Sequence, residues 1–101
     1  HFVLIYLNNQ NKVITTEVVA SGTINSSAVY PRRIAIKVLE KEATNVILAH
    51  NHPSGIADPS QADERITRRV KAALNLVDIR LLDHLVIGDG ISISLASRGL
   101  L

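Results

Sequence analysis

The 101-residue sequence contains no cysteine. That excludes a disulfide framework and any thiolate metal site, so a bound metal would have to be held by His and carboxylates. Aromatic residues make up only 3% of the chain. The stacking platforms of single-strand nucleic-acid binders are therefore not expected. The net charge of +2 is too small to point to a nucleic-acid partner. No apolar run approaches the roughly 18 residues of a membrane span, and no signal peptide is visible. No repeat or low-complexity linker interrupts the chain. The lack of Cys fits a reducing cytoplasm, which is the expected location. The chain does not open with Met and reads as one domain, 1–101, cut from a longer protein.

What is present alternates between strand-like and helix-like patterns. Phe2 to Leu7 is a continuous apolar run of strand length. The Asn8–Asn11 cluster then turns the chain into a second strand, Lys12 to Ala20, making a hairpin. Ser21-Gly22 ends that strand, and a polar loop follows through Asn25-Ser26-Ser27. Pro31 suits the first turn of a helix whose apolar face is Ile34, Ala35, Val38 and Leu39. Val46 to Ala49 reads as a central strand covered on both faces. A second helix starts near Ser60, with Ala62, Ile66, Val70, Ala73, Leu74 and Val77 as its stripe. Arg80 to Ile87 and Ile91 to Leu95 are strands joined by a Gly88-Asp89-Gly90 turn. The expected fold is mixed α/β, a mostly antiparallel sheet of five to six strands with packed helices.

The chemistry concentrates where the central strand ends. His50 and His52 are two residues apart, so strand geometry sends both imidazoles to one side. Pro53 stiffens the exit and Gly55 permits a tight turn. Asp63 falls in the first turn of the next helix, which can return to the strand end. Two imidazoles and one carboxylate then converge, which is the donor set of catalytic zinc sites that keep one position open. Each residue also has a plainer reading. A His-x-His pair is commonly surface, and an acid in a first helical turn simply offsets the helix dipole.

The segment His50-Asn51-His52-Pro53-Ser54-Gly55 through Ser60-Gln61-Ala62-Asp63 resembles the JAMM (MPN+) zinc-metallohydrolase motif: His-x-His, seven residues, Ser, two residues, Asp. Val29-Tyr30-Pro31-Arg32 and Leu82-Asp83-His84-Leu85-Val86-Ile87-Gly88-Asp89-Gly90 extend the likeness to the bacterial RadC family over most of the chain. The resemblance implies a JAB/MPN-like fold related in architecture to cytidine deaminases. It implies one Zn2+ held by His50, His52 and Asp63, and a catalytic Glu on an early strand, best matched by Glu17. It also implies that Ser60 stabilises the tetrahedral intermediate, with a peptide or isopeptide as substrate. Such chemistry would use a zinc-activated water and a carboxylate base.

Other readings compete. Ser60 is a good N-cap, and the two roles can coexist. Glu17 could be a solvent-facing strand residue. His84 reads as a structural histidine, with ligand orientation from behind as the alternative. Arg65, Arg68, Arg69 and Lys71, with Arg32, Arg33 and Lys37, read as solvated helix faces rather than a nucleic-acid surface. The RadC likeness carries a DNA-repair alternative, in which nucleic acid would be met through a helix-hairpin-helix N-terminal region outside this sequence. A zinc deaminase is excluded because residue 52 is not Glu and there is no Cys.

Overall fold

Among the described residues, the alternation of apolar runs and helical stripes produces seven elements. They are strands β1 (Phe2–Leu7) and β2 (Val13–Ala20), helix α1 (Pro31–Glu40), strand β3 (Asn45–Asn51), helix α2 (Gln61–Asn75), and strands β4 (Arg80–Gly88) and β5 (Ile91–Ser94). The computed structural model describes residues 1–20, 29–52 and 55–101. The expected loop at Ser21-Gly22 and Asn25–Ser27, and the stiffening role given to Pro53, lie outside the described residues.

The five strands form one sheet in the order β2-β1-β3-β4-β5. All neighbours are antiparallel except β3 and β4. Those two are parallel because α2 carries the chain back between them, a connection too long for a hairpin. Their carboxyl ends therefore lie side by side. The sheet is the expected mixed, mostly antiparallel one, with five strands.

Register assigns the side chains to faces. Phe2, Leu4 and Tyr6 of β1 lie opposite His50, Leu48 and Val46 of β3. Except for His50, these residues form the core with Ile34 and Val38 of α1 and Ile66, Val70 and Leu74 of α2. Both helices thus pack on one face of the sheet. Val46 and Leu48 are fully buried there. On the other face Asn45 and Ala49 are buried but Ile47 is only half-buried, so the cover expected on both sides of β3 is complete on the helix side and partial on the other.

The helix ends differ from the expected pattern in two places. Val77 was expected on the α2 stripe but is 40% exposed beyond the helix. The chain leaves α2 through Asp78 at φ 61°, with the Ile79 N–H donating to the Leu74 carbonyl at 3.0 Å. α1 ends alike, with Glu42 at φ 53° and the Ala43 N–H on the Val38 carbonyl at 3.2 Å. These are left-handed helix terminators built without glycine. Leu39, expected on the buried face of α1, is 50% exposed, so that face consists of Ile34 and Val38 with Ala35 at its margin.

Candidate metal centre

His50 sits near the end of β3, on the helix-covered face beside Phe2. The Phe2 ring stacks on it, centroids 5.5 Å apart and planes at 21°. His52 follows just past the strand, and its N–H still donates to the Ile87 carbonyl at 3.0 Å. Gly55 then turns at φ 79°, a region that L side chains rarely adopt. Its N–H donates to the His52 carbonyl at 3.0 Å, and its carbonyl accepts from the Asp89 N–H at 2.9 Å. Gly88 leaves room for this turn, because a Cβ there would lie 2.3 Å from the Gly55 oxygen. The exit from β3 is thereby pinned to the β4–β5 hairpin.

Asp63 arrives from the opposite direction, on the first turn of α2. Ser60 caps that helix. Its Oγ accepts from the Asp63 N–H at 3.1 Å, while Asp63 Oδ2 accepts from the Ser60 N–H at 2.7 Å. This reciprocal capping box is worth about 1 kcal/mol. It also aims the Asp63 carboxylate back at the strand end.

The three side chains meet. His50 Nε2 is 3.4 Å from Asp63 Oδ1, and His52 Nε2 is 2.9 Å from Asp63 Oδ2. The two imidazole rings are 4.9 Å apart. On the far side of the His52 ring, Nδ1 is 2.7 Å from the Ile56 carbonyl oxygen. A carbonyl can only accept, so Nδ1 carries a hydrogen. In neutral His52 the lone pair is then on Nε2, facing Asp63.

His84 joins from β4. Its Nε2 is 3.2 Å from His50 Nδ1, and its Nδ1 is 2.5 Å from Thr67 Oγ1. One ligand-type atom from each of His50, Asp63 and His84 lies within 4.8 Å of the other two. Both His84 nitrogens already face protein partners, whereas the Nε2 atoms of His50 and His52 face the carboxylate. The imidazole nitrogens that face the Asp63 carboxylate are thus those of His50 and His52.

Burial sets the charges. His50 and Asp63 are each 6% exposed and His84 is 0% exposed. Desolvation pushes His84 down to about 4, helped by repulsion from His50. It also holds His50 below the ordinary imidazole value, against the pull of the Asp63 charge. For Asp63, desolvation acts upward, but the Ser60 backbone N–H, His50, the Ser60 side chain and His52 together bring it below the ordinary carboxylate value. At neutral pH, Asp63 is an anion while His50 and His84 are uncharged.

Glu17 lies elsewhere on the same sheet face. It pairs with Leu4, which pairs with Leu48, two residues before His50. Two strand spacings and two residues of rise put its Cα about 12 Å from that of His50. Its carboxylate accepts from the Tyr6 hydroxyl at 2.7 Å and from Lys37 Nζ at 3.2 Å. Tyr6 pairs with Val46, the end of β3 away from His50. The structure therefore brings together His50, His52, Asp63 and Ser60, and leaves Glu17 hydrogen-bonded outside the cluster.

Thr67 was not singled out in the sequence, where it reads as one more residue inside a helix. Its place on the Asp63 side of α2, four residues on, was the available signal. Asn51 is exposed, on the sheet face opposite His50, as strand alternation requires.

A family model described as "RadC-like JAB domain" matches residues 1–100. A UPF0758 protein of Vibrio atlanticus is 58% identical over 98 residues, covering 97% of this chain and 44% of that protein. UPF0758 proteins of Cellvibrio japonicus and Aliivibrio fischeri are 57% and 53% identical, with the same coverage. The chain thus spans less than half the length of these relatives. With a match along nearly its whole length and the mixed five-stranded sheet that carries the His and Asp cluster, the chain belongs to the RadC-like JAB domain family.

Proposed function

We propose that this chain is a zinc-dependent hydrolase of amide bonds in peptide or isopeptide substrates, with His50, His52 and Asp63 as the metal ligands. The observation that carries the reading is the convergence of two imidazole Nε2 atoms on the two oxygens of one buried carboxylate. With His50 uncharged and Asp63 ionised, that arrangement is short of positive charge. A cation shared by the three groups would supply it. The donor set suits zinc, which takes His and Asp ligands and, in catalytic sites, keeps a fourth position open. When bound, zinc lowers the pKa of water to about 7 and polarises a carbonyl.

The chain's own groups would divide the remaining work. The Ser60 hydroxyl accepts from the Asp63 N–H, which leaves its own hydrogen available to donate to a developing oxyanion. Glu17 is the candidate general base. Its place on the His50 face of the sheet supports that role, and it would have to exchange Tyr6 and Lys37 for the substrate side. Phe2, stacked on His50, restricts the ring and excludes water from its back.

The test combines metal analysis with turnover. Wild-type protein is expected to hold about one zinc per chain and to cleave members of a peptide and isopeptide panel. His50→Ala should lose both properties. Glu17→Gln should keep zinc and lose about 10²–10⁴-fold in rate, the usual worth of a general base. Wild-type protein that takes up no zinc after metal-replete purification would refute the reading.

A further inference from the structure

His84 is a fully buried histidine outside the three proposed ligands, and Thr67 is a buried polar residue in the middle of α2. Their contacts can be given directions without knowing where any hydrogen was placed. Thr67 Oγ1 is 2.6 Å from the Asp63 backbone carbonyl. A carbonyl has no hydrogen to give, so the single hydroxyl hydrogen of Thr67 points there. Thr67 can then only accept from His84, whose Nδ1 is 2.5 Å away. That places a hydrogen on His84 Nδ1. An imidazole whose single hydrogen is on Nδ1 has a bare lone pair at Nε2, and this atom of His84 is 3.2 Å from His50 Nδ1. His50 must be the donor in that contact. Its remaining nitrogen, Nε2, is left as a lone pair aimed at Asp63.

We infer that Thr67 and His84 are positioning residues: a hydrogen-bond relay running from His50 through His84 and Thr67 to the Asp63 backbone locks His50 in the one tautomer that can ligate a metal through Nε2. The relay starts at one proposed ligand and ends on the main chain of another, so α2 and β4 jointly set the hydrogen position of a residue on β3. Reversing one member reverses the rest. If His84 carried its hydrogen on Nε2, it would oppose the Nδ1–H of His50. The His50 hydrogen would then have to move to Nε2, where the cation would sit. The contact of His52 with Asp63 has a separate anchor in the Ile56 carbonyl, so the relay governs His50 alone.

This inference uses the metal reading for its consequence, and the experiment separates the two. Imidazole ¹⁵N shifts and two-bond couplings are measured on the metal-free full chain above pH 7, and zinc affinity is measured by chelator competition. The relay requires hydrogen on Nδ1 of both His50 and His84 in the wild type. Thr67→Val should move His50 toward the Nε2–H form and weaken zinc binding about 10–100-fold, the usual cost of losing a residue that orients a ligand. Thr67→Ser should restore both the tautomer and the affinity, which a simple packing role for Thr67 does not predict. His84→Gln, which keeps an acceptor for His50, should bind zinc more tightly than His84→Leu. Wild-type His50 found as the Nε2–H tautomer would overturn the relay, as would a Thr67→Val protein with wild-type tautomers and affinity. A wild type that shows the Nδ1–H pattern but takes up no zinc would refute the metal reading and support the relay.

Discussion

Two carboxylates, Glu17 on β2 and Asp63 on the first turn of α2, lie on the helix-covered side of the sheet and live in opposite circumstances. Glu17 is surrounded by donors: the Tyr6 hydroxyl and the Lys37 ammonium each give it a hydrogen. Asp63 keeps a backbone donor at Oδ2 but also faces two imidazole nitrogens, of which His50 Nε2 brings a lone pair. Both carboxylates have hydrogen-bond partners, but the Glu17 oxygens meet donors that include a cation, whereas Asp63 Oδ1 meets the uncharged imidazole of His50. The proposed metal would bring positive charge to Asp63, and the Glu17 corner already has its cation in Lys37.

The contrast can be broken most forcefully at Asp63. Zinc at a thousand times its dissociation constant should stabilise the wild type by about 4.1 kcal/mol. Asp63→Asn keeps an acceptor for the α2 cap, so it should lose that stabilisation while remaining folded, as read by thermal unfolding with and without zinc. Acid probes the same cluster in metal-free protein. His84 is held at about 4 in the fold against roughly 6.5 in an unfolded chain. Between those values the unfolded state binds a proton that the native state refuses. Stability should therefore fall as pH is lowered through that window, by roughly 3 kcal/mol for this residue. Urea unfolding at a series of pH values measures it, and a flat profile from pH 7 to 4 would contradict a neutral buried His84.

The Glu17 corner should respond less. Tyr6→Phe removes one neutral donor and should cost about 1 kcal/mol. It should also let the Glu17 carboxyl rise toward its ordinary value, since the Tyr6 hydrogen bond is the chief reason it is depressed. A carboxylate NMR titration reads the shift, and zinc affinity should not change. Lys37→Met touches a pair whose two side chains are each 35% exposed. It should cost between 0 and about 1 kcal/mol, less in high salt. An effect of Lys37→Met as large as that of Asp63→Asn would erase the distinction between the two carboxylates.

The sequence was most legible where the relevant residues are close together along the chain. His50, His52, Ser60 and Asp63 lie within fourteen residues, and strand alternation plus a helix N-cap carries them to one place. The number and type of the elements followed from patterning, whereas the strand order and the placement of both helices on one face did not. What stayed hidden depended on distant register. His84 reaches His50 only because β3 and β4 run parallel, with Leu48 beside His84, and no local spacing encodes that. The attachment of Glu17 to Tyr6 and Lys37 joins three elements. The stop of α2 at Asn75 was hidden for a different reason: the terminator is Asp78 rather than glycine, so the usual signal was missing.

The side chain of Asp63 both seals the first turn of α2 and faces the two histidines. Fraying of that turn and loss of the metal-binding geometry are therefore one event. Zinc should slow hydrogen–deuterium exchange at the amides of Asp63 and Glu64, whose acceptors both belong to Ser60, more than at amides near the far end of the helix. The first turn of α2 would thereby report occupancy of the proposed site.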